Sequence, residues 1–164
     1  MPGVRWGTFA TERPDLAEAG HALLYQFGVG LAFLATVRAD GGPRLHPFCP
    51  VRHDDGLYAF LVPSPKRDDL HRDGRYAMHS FPADENEDAF AVTGTAELVT
   101  DAALRDRLER RFTAERPHVE AVDFGRQELF ELLIERCLLT RTSGHGDPAP
   151  RHQVWRISAD ARRS

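Results

Sequence analysis

The sequence predicts a small, mostly β domain: an antiparallel barrel of about six strands with helices at its periphery. Three observations predict this fold class. Short apolar runs rich in β-branched and aromatic residues recur at close spacing, and turn-forming Gly, Pro and Asp separate them. Helical spacing of apolar residues occurs only near the start, after the third strand and late in the chain. The regular alternation of strands and helices that a doubly wound sheet requires is absent.

Length and composition favour a single domain over residues 1–164. A chain of 164 residues with 41% hydrophobic residues is long enough for one core and short for two. A net charge of −4 argues against nucleic-acid binding and favours a small-molecule substrate. Two cysteines without a CxxC motif fit neither a disulfide framework nor a thiolate zinc site. Without a signal-peptide pattern or a membrane-length apolar run, we expect a cytoplasmic protein without a membrane partner.

The first half of the chain predicts one helix followed by three strands. Leu16, Ala19, Leu23 and Phe27 recur at helical spacing within residues 12–27. Apolar, β-leaning runs follow, and turns rich in Asp and Gly separate them. These runs predict three consecutive strands of an antiparallel meander, at 31–37, 44–51 and 57–62.

The second half predicts three more helices and four β runs. A short polar helix over 66–73 ends before Gly74, and Asp101 caps a helix that runs to about residue 115. A further short helix is expected over 126–134. The acidic stretch 84–88 is expected to be a solvated loop. The remaining apolar runs predict strands at 76–81, 90–99, 136–142 and 153–157.

The turn Ser64-Pro65-Lys66-Arg67 carries the strongest chemical signal. Among 21 basic residues Lys66 is the single lysine, and it lies where a strand ends and a helix begins. A hydroxyl, an ammonium, a guanidinium and free helix N–H groups at one point would bind a phosphate monoester. An ordinary solvated turn accounts for the same residues, so the turn alone leaves both interpretations open.

Four segments carry a resemblance to a known family. Their order along the chain is similar to that of the pyridoxamine 5'-phosphate oxidase-like split-barrel family. The resemblance spans roughly residues 20–100, and the last third matches only in outline, through Trp155-Arg156. The segments are Phe33–Pro43, Arg44–Cys49, Leu57–Leu61 and Ser64–Leu70.

The resemblance implies a homodimer that holds FMN in a cleft between its subunits. Lys66 would anchor the flavin phosphate, with help from Ser64 and Arg67. The segment that begins at Arg44 would face the pyrimidine edge of the flavin, largely through its backbone. That segment adds four cofactor-binding candidates, namely His46, Pro47, Phe48 and Cys49. The flavin would pass a hydride or two electrons between a nicotinamide or small organic molecule and itself, so no catalytic side chain is predicted.

Two departures from the family pattern narrow this interpretation. Cys49 stands where the oxidase that names the family has a lysine for the substrate phosphate. A thiol supplies no such charge, so oxidation of pyridoxamine phosphate itself is not expected. Pro65 replaces a basic residue, which leaves fewer cationic contacts to the flavin phosphate.

Other cofactors and roles stay open at this point. The deazaflavin coenzyme F-420 has a longer anionic tail, for which Arg72 and Arg75 are available. Haem is a further option, because a single axial histidine leaves no sequence pattern. The eight histidines show no metal-binding spacing, so no metal site is predicted. A protein that stores or senses a flavin or haem without turnover would have the same sequence features.

Trp155 and Cys49 each admit a structural interpretation beside the functional one. Trp155 could stack on the flavin, line the interface or belong to the core. Cys49 and His46 lie three residues apart on a strand, which puts their side chains on opposite faces. A packing thiol is therefore expected rather than a nucleophile.

Overall fold

Residues 3–158, the part of the chain that this computed structural model describes, form one antiparallel sheet of eight strands with four helices around it. No helix in this part is long and apolar enough to cross a membrane. In chain order the elements are α1 (Trp6–Glu12), α2 (Pro14–Leu24), β1 (Ala32–Val37), β2 (Pro43–Phe48), β3 (Pro50–His53), β4 (Gly56–Leu61), α3 (Pro65–Arg72), β5 (Arg75–Ser80), β6 (Ala89–Leu98), α4 (Ala102–Ala114), β7 (Glu128–Arg141) and β8 (Arg151–Arg156).

The sheet curls into a split barrel, which confirms the predicted fold class. The strands lie in the order β2-β1-β5-β6-β7-β4-β3, and β8 pairs with the second half of β7. The two end strands of this path, β2 and β3, follow each other along the chain with only Cys49 between them. The chain therefore passes directly from one end strand of this path to the other. Within the described residues, β2 and β3 each pair with another strand on one side only.

Alternation along the strands separates an inner face from an outer face. In β1, Ala32, Leu34 and Thr36 are buried, whereas the residues between them are half-buried. The inner residues join α1 and α2 in the main core, where Phe9 and Phe90 stack with ring centroids 6.3 Å apart. A smaller core lies under α4. The helices thus pack with the inner face.

One predicted helix is wrong, and several boundaries differ. Residues 128–134 are the first half of β7, a 14-residue strand, instead of a helix. Leu129, Phe130, Leu132 and Leu133 are all buried, because this half of β7 contacts core on both of its faces. Burial on both faces removes the alternation that marks a strand and leaves a spacing that mimics a helix.

The other differences are smaller. The expected strand 44–51 is divided at Cys49 into β2 and β3, which brings the strand number to eight within residues 3–158. Helix α1 precedes the expected first helix and contributes Trp6 and Phe9 to the core. Gly74 follows α3 with φ of +76°, the left-handed conformation that glycine adopts without steric cost, and so ends the helix as predicted.

The cap on α4 is confirmed. Asp101 Oδ1 accepts hydrogen bonds from the backbone N–H groups of Ala103 at 2.9 Å and Leu104 at 3.1 Å. These two donors have no partner inside the helix, so the carboxylate satisfies them.

We expect Asp101→Ala to lower the free energy of unfolding by about 1 kcal/mol, because the two N–H groups lose their acceptor. Urea denaturation of both proteins measures this difference. Asp106→Asn, on the exposed side of the same helix, is the control and should change stability by less than about 0.5 kcal/mol. Equal effects of the two variants would contradict the capping role.

Candidate functional site

The turn between β4 and α3 forms the N-terminus of an eight-residue helix. Ser64 is the N-cap residue, but its hydroxyl donates to the Val62 carbonyl at 2.9 Å instead of capping the helix. Pro65, which has no N–H group, and Lys66 begin the first turn. The N–H groups of Arg67 and Asp68 donate to the Ser64 carbonyl at 3.0 and 3.1 Å, which leaves the Lys66 N–H as the free donor of this turn within residues 3–158. Lys66 is half-buried, and no hydrogen bond or ion pair joins its ammonium to another residue in 3–158.

Arg44, at the start of β2, contacts the same helix through Asp69. Its Nε donates to Asp69 Oδ2 at 2.7 Å, and the Thr36 hydroxyl donates to the same oxygen at 2.8 Å. Arg72 donates to Asp69 Oδ1 at 3.1 Å and also to the Val37 carbonyl. Burial raises the pKa of Asp69, but these hydrogen bonds lower it more, so the pKa lies below its ordinary value. The carboxylate therefore stays ionised at neutral pH.

A cleft of about 390 Å³ opens between α3 and the β1–β2 turn. Its charged residues balance: Arg38 pairs with Asp40 at 2.6 Å, while Arg44 and Arg72 share Asp69. The cleft lining comprises Arg38, Ala39, Asp40, Arg44, Pro65, Asp68, Asp69 and Arg72. Sequence analysis singled out Arg44 in this lining but missed Asp69. Asp69 lies in a polar stretch of the chain, which suggests an exposed position, whereas the residue is buried.

Arg67 lies on a different side of α3 from the one that Arg44 contacts. Its Nε is 3.4 Å from Glu128 Oε2, and His71, one turn later, contacts the same oxygen through Nε2 at 2.5 Å. Glu128 is the first residue of β7, so these contacts connect α3 to β7. The structure thus brings Arg44 and Pro65 to one cleft and directs Arg67 elsewhere.

The candidates on β2 lie on an edge strand. His46 and Pro47 are exposed, Phe48 belongs to the main core, and Cys49 is half-buried at the break before β3. Leu45, which sequence analysis did not single out, is 64% exposed. An edge strand has backbone N–H and C=O groups without a strand partner. This part of the site therefore offers backbone polar groups beside an exposed apolar surface.

Trp155 lies in the main core with 6% of its surface exposed. Its indole N–H donates to Glu12 Oε2 at 2.8 Å, and its ring centroid is 5.1 Å from that of Phe9. Of the interpretations open from the sequence, core packing matches this position.

The outer face of the sheet carries apolar residues that belong to neither core cluster, with polar residues such as His79 and Arg136 among them. It extends from β2 through β1, β5 and β6 to β7 and β8, as the pairing register places these residues side by side. The strand β1 carries the sequence signal for it, because apolar residues occupy both of its faces. The uncharged residues that concern us on this face are Phe33, Ala35, Val37, Leu45, Ala77, Ala91, Thr93, Leu138 and Val154.

Comparisons with known proteins agree with this geometry. The family model described as pyridoxamine 5'-phosphate oxidase matches residues 24–141. A Clostridium acetobutylicum protein, related to general stress protein 26 of B. subtilis and to the pyridoxinephosphate oxidase family, superposes with TM-score 0.59 and 14% identity. That match covers 92% of this chain and 96% of the other.

Two further solved structures share the fold. A FAD-binding protein from Mesorhizobium loti matches with TM-score 0.53 and 22% identity, covering 65% of this chain and 82% of that one. A haem storage protein from Vibrio cholerae matches with TM-score 0.54 and 16% identity, covering 74% and 89%. These identities establish likeness of fold alone. No curated protein matches the sequence.

Proposed function

The chain belongs to the pyridoxamine 5'-phosphate oxidase family, and from this premise we propose that it binds FMN between two subunits and acts as a flavin-dependent oxidoreductase on a small molecule. The observation that carries the proposal is Lys66, a half-buried residue at the N-terminus of α3 whose ammonium has no ionic partner in residues 3–158. A buried or half-buried cation without a carboxylate partner favours an anionic ligand.

The residues around Lys66 fit a terminal phosphate. The free Lys66 N–H group and the positive end of the α3 dipole favour an anion at this point. Arg44 lines the cleft that includes Pro65 but not Lys66, and its Nε is committed to Asp69, which leaves its terminal amino groups for a ligand. Ser64 reaches the same anion if its hydroxyl turns from the Val62 carbonyl. Arg67, paired with Glu128, contributes to the local positive charge rather than a direct contact.

The edge strand β2 fits the polar side of a flavin ring. Backbone groups of residues 45–49 that lack a strand partner can donate to and accept from the pyrimidine part of the ring. Leu45 and Pro47 supply exposed apolar surface beside them. His46, Phe48 and Cys49 complete this segment, with Phe48 anchoring it in the core.

Bound FMN would supply the transfer of a hydride or two electrons. The chain's own residues would bind the phosphate, orient the ring against β2 and exclude water once a second subunit covers the site. No side chain near β2 is assigned a proton-transfer role. Cys49 carries no positive charge for a substrate phosphate, so we propose a substrate other than pyridoxamine phosphate.

The ion pairs around the cleft favour FMN over the deazaflavin coenzyme. A longer anionic tail requires free basic residues beyond the phosphate. Arg72 is paired with Asp69, and Arg75 donates to Asp73 at 2.6 Å. Arg75 is therefore neutralised by its own carboxylate, Arg72 shares Asp69 with Arg44, and exposed Asp68 adds negative charge to the cleft. These charges favour a cofactor that ends at a monophosphate.

The apolar outer face supports a homodimer. Large apolar patches are rare on monomers and mark interaction sites. A second copy is the occupant we propose, because isologous dimers are the commonest closed assemblies and the family resemblance implies one. The face begins at β2, so a partner seated on it would also border the proposed flavin site.

We expect Leu138→Arg to convert the dimer to a monomer, because a buried guanidinium without a partner costs several kcal/mol at each of the two symmetry-related positions. Size-exclusion chromatography with light scattering measures the mass. Val119→Arg is the control, since Val119 is an exposed residue in the α4–β7 connection. A wild-type monomer, or a dimer that survives Leu138→Arg unchanged, would contradict this interface.

Spectroscopy and turnover test the function. We expect the purified protein to show flavin absorption bands, or to acquire them on titration with FMN, and to oxidise reduced nicotinamide with a suitable acceptor. A Soret band would instead indicate haem. Bound flavin that reduced nicotinamide does not reduce would favour storage or sensing. A colourless protein that does not bind FMN would refute the proposed cofactor.

A further inference from the structure

We propose that Asp69 is a positioning residue that holds the Arg44 guanidinium ready for the cofactor phosphate. The proposal rests on the proposed FMN site and adds a residue that neither the sequence motifs nor the family match singles out. Asp69 itself would not touch the ligand. It would act by fixing which donor atoms of Arg44 face the protein and which face the ligand.

The geometry around Asp69 is that of a fully engaged carboxylate. Only 3% of the residue is exposed. One oxygen accepts from Arg44 Nε at 2.7 Å and from the Thr36 hydroxyl at 2.8 Å, and the other accepts from Arg72 at 3.1 Å. The donors come from β1, β2 and α3, so three elements that meet at the cleft converge on one side chain. Its position is therefore set independently of any ligand.

The consequence for Arg44 is a fixed orientation. A guanidinium has five N–H donors in a planar fork. Nε is committed to Asp69, whereas no residue in 3–158 accepts a hydrogen bond from the two terminal amino groups. The Arg44 side chain is 27% exposed, so these groups reach the cleft. A fork held in this way matches the paired oxygens of a phosphate at small cost in side-chain entropy.

The charge balance also fits a phosphate site. Asp69 carries one negative charge between two arginines, Arg44 and Arg72. The three groups together carry a formal charge of about +1, whereas the whole cleft lining, with Arg38, Asp40 and Asp68, is formally neutral, so the attraction for an anion is local to Arg44. Because both carboxylate oxygens accept from cationic donors, the negative charge of Asp69 is compensated, although the residue itself lines the cleft. Asp69 thus orients Arg44 without cancelling its attraction for phosphate.

A structural role alone would also explain a buried carboxylate between a helix and two strands. The two roles differ in which ligand they affect. Riboflavin has the ring of FMN but lacks its phosphate. A loss of phosphate recognition weakens FMN binding and leaves riboflavin binding unchanged, whereas distortion of the cleft weakens both. The ratio of the two dissociation constants is therefore the informative quantity.

The experiment titrates wild type, Asp69→Asn, Arg44→Gln and the double variant with FMN and with riboflavin, followed by flavin fluorescence. We expect Asp69→Asn to weaken FMN binding about tenfold while riboflavin affinity stays within about twofold. In the Arg44→Gln background, Asp69→Asn should have no further effect, because both changes remove the same contact. Asp106→Asn, an equal change of charge on α4, should leave both affinities unchanged.

Arg44→Lys keeps the proposal testable if Asp69→Asn fails to fold. Asp69 would capture the single ammonium of a lysine, so this variant should lose FMN affinity as Arg44→Gln does although it retains the charge. An unchanged ratio of riboflavin to FMN dissociation constants in Arg44→Lys would overturn the proposal. So would an equal loss of both ligands in folded Asp69→Asn. If wild type binds FMN no better than riboflavin, the phosphate site of the proposed function itself is refuted.

Discussion

Lys66→Ala is expected to weaken FMN binding by about 10- to 100-fold, the effect of removing one charge-assisted contact to a phosphate. Lys66 is half-buried at the N-terminus of α3, and its ammonium has no ionic partner in residues 3–158. Its removal therefore breaks no hydrogen bond or ion pair within residues 3–158. We accordingly expect the free energy of unfolding of the ligand-free variant to stay within about 0.5 kcal/mol of that of wild type.

Titration with FMN and riboflavin, followed by flavin fluorescence, measures this effect. Riboflavin affinity should be unchanged, because the lost contact is to the phosphate. Arg67→Ala tests the neighbouring cation, whose guanidinium faces Glu128, and should weaken FMN binding less than Lys66→Ala. Arg110→Ala on α4 is the control for a loss of positive charge far from the site.

The single lysine allows an independent check. Acylation of side-chain amines can label only Lys66, since the sequence contains no other lysine. Saturating FMN should protect Lys66 from acylation, as read by mass spectrometry of its peptide, whereas riboflavin should not. Equal labelling with and without FMN, together with unchanged FMN affinity in Lys66→Ala, would remove Lys66 from the phosphate site.

Gly94→Ala is expected to lower the free energy of unfolding by about 3 kcal/mol. An ideal Cβ at Gly94 would lie 1.8 Å from the Leu133 carbonyl oxygen and 3.2 Å from the Ile134 Cα. Both atoms belong to the backbone of β7, so no side-chain rotation relieves the clash. The pairing of β6 with β7 shifts register between Thr93 and Gly94, and the glycine permits this irregularity.

Denaturation by urea, followed by circular dichroism, measures the loss of stability. Gly125→Ala is the matched control, because the atom that its Cβ would approach, at 3.1 Å, belongs to the movable Asp123 side chain. That variant should change the free energy of unfolding by less than about 1 kcal/mol. If Gly94→Ala were as stable as Gly125→Ala, the close contact between β6 and β7 would not be a constraint on this position.

Local signals in the sequence predicted local structure well. Asp101 precedes an apolar helical pattern and caps α4, and Gly74 ends α3. The turns between the first strands predicted an antiparallel meander. The structure contains its β1–β2 and β3–β4 pairs. Such signals are reliable because capping, turn geometry and alternation depend on residues a few positions apart.

The wrong helix over 126–134 shows where local signals fail. Leu129 and Phe130 belong to different cores, since one packs under α4 and the other inside the barrel. A strand buried on both faces loses its alternation, and its apolar residues then resemble a helix. Only the closure of the sheet and the position of α4 decide that both faces are covered.

The sequence by itself determined the split-barrel class, the family resemblance and the turn that carries Lys66, because each depends on short-range pattern and composition. The tertiary structure alone decided that Asp69 meets Arg44, 25 residues earlier, and that Arg67 faces Glu128 instead of the cleft. It also decided which apolar residues form the uncovered outer face. Partners of charged groups and burial of strands are set by which elements pack together, and sheet closure determines that packing.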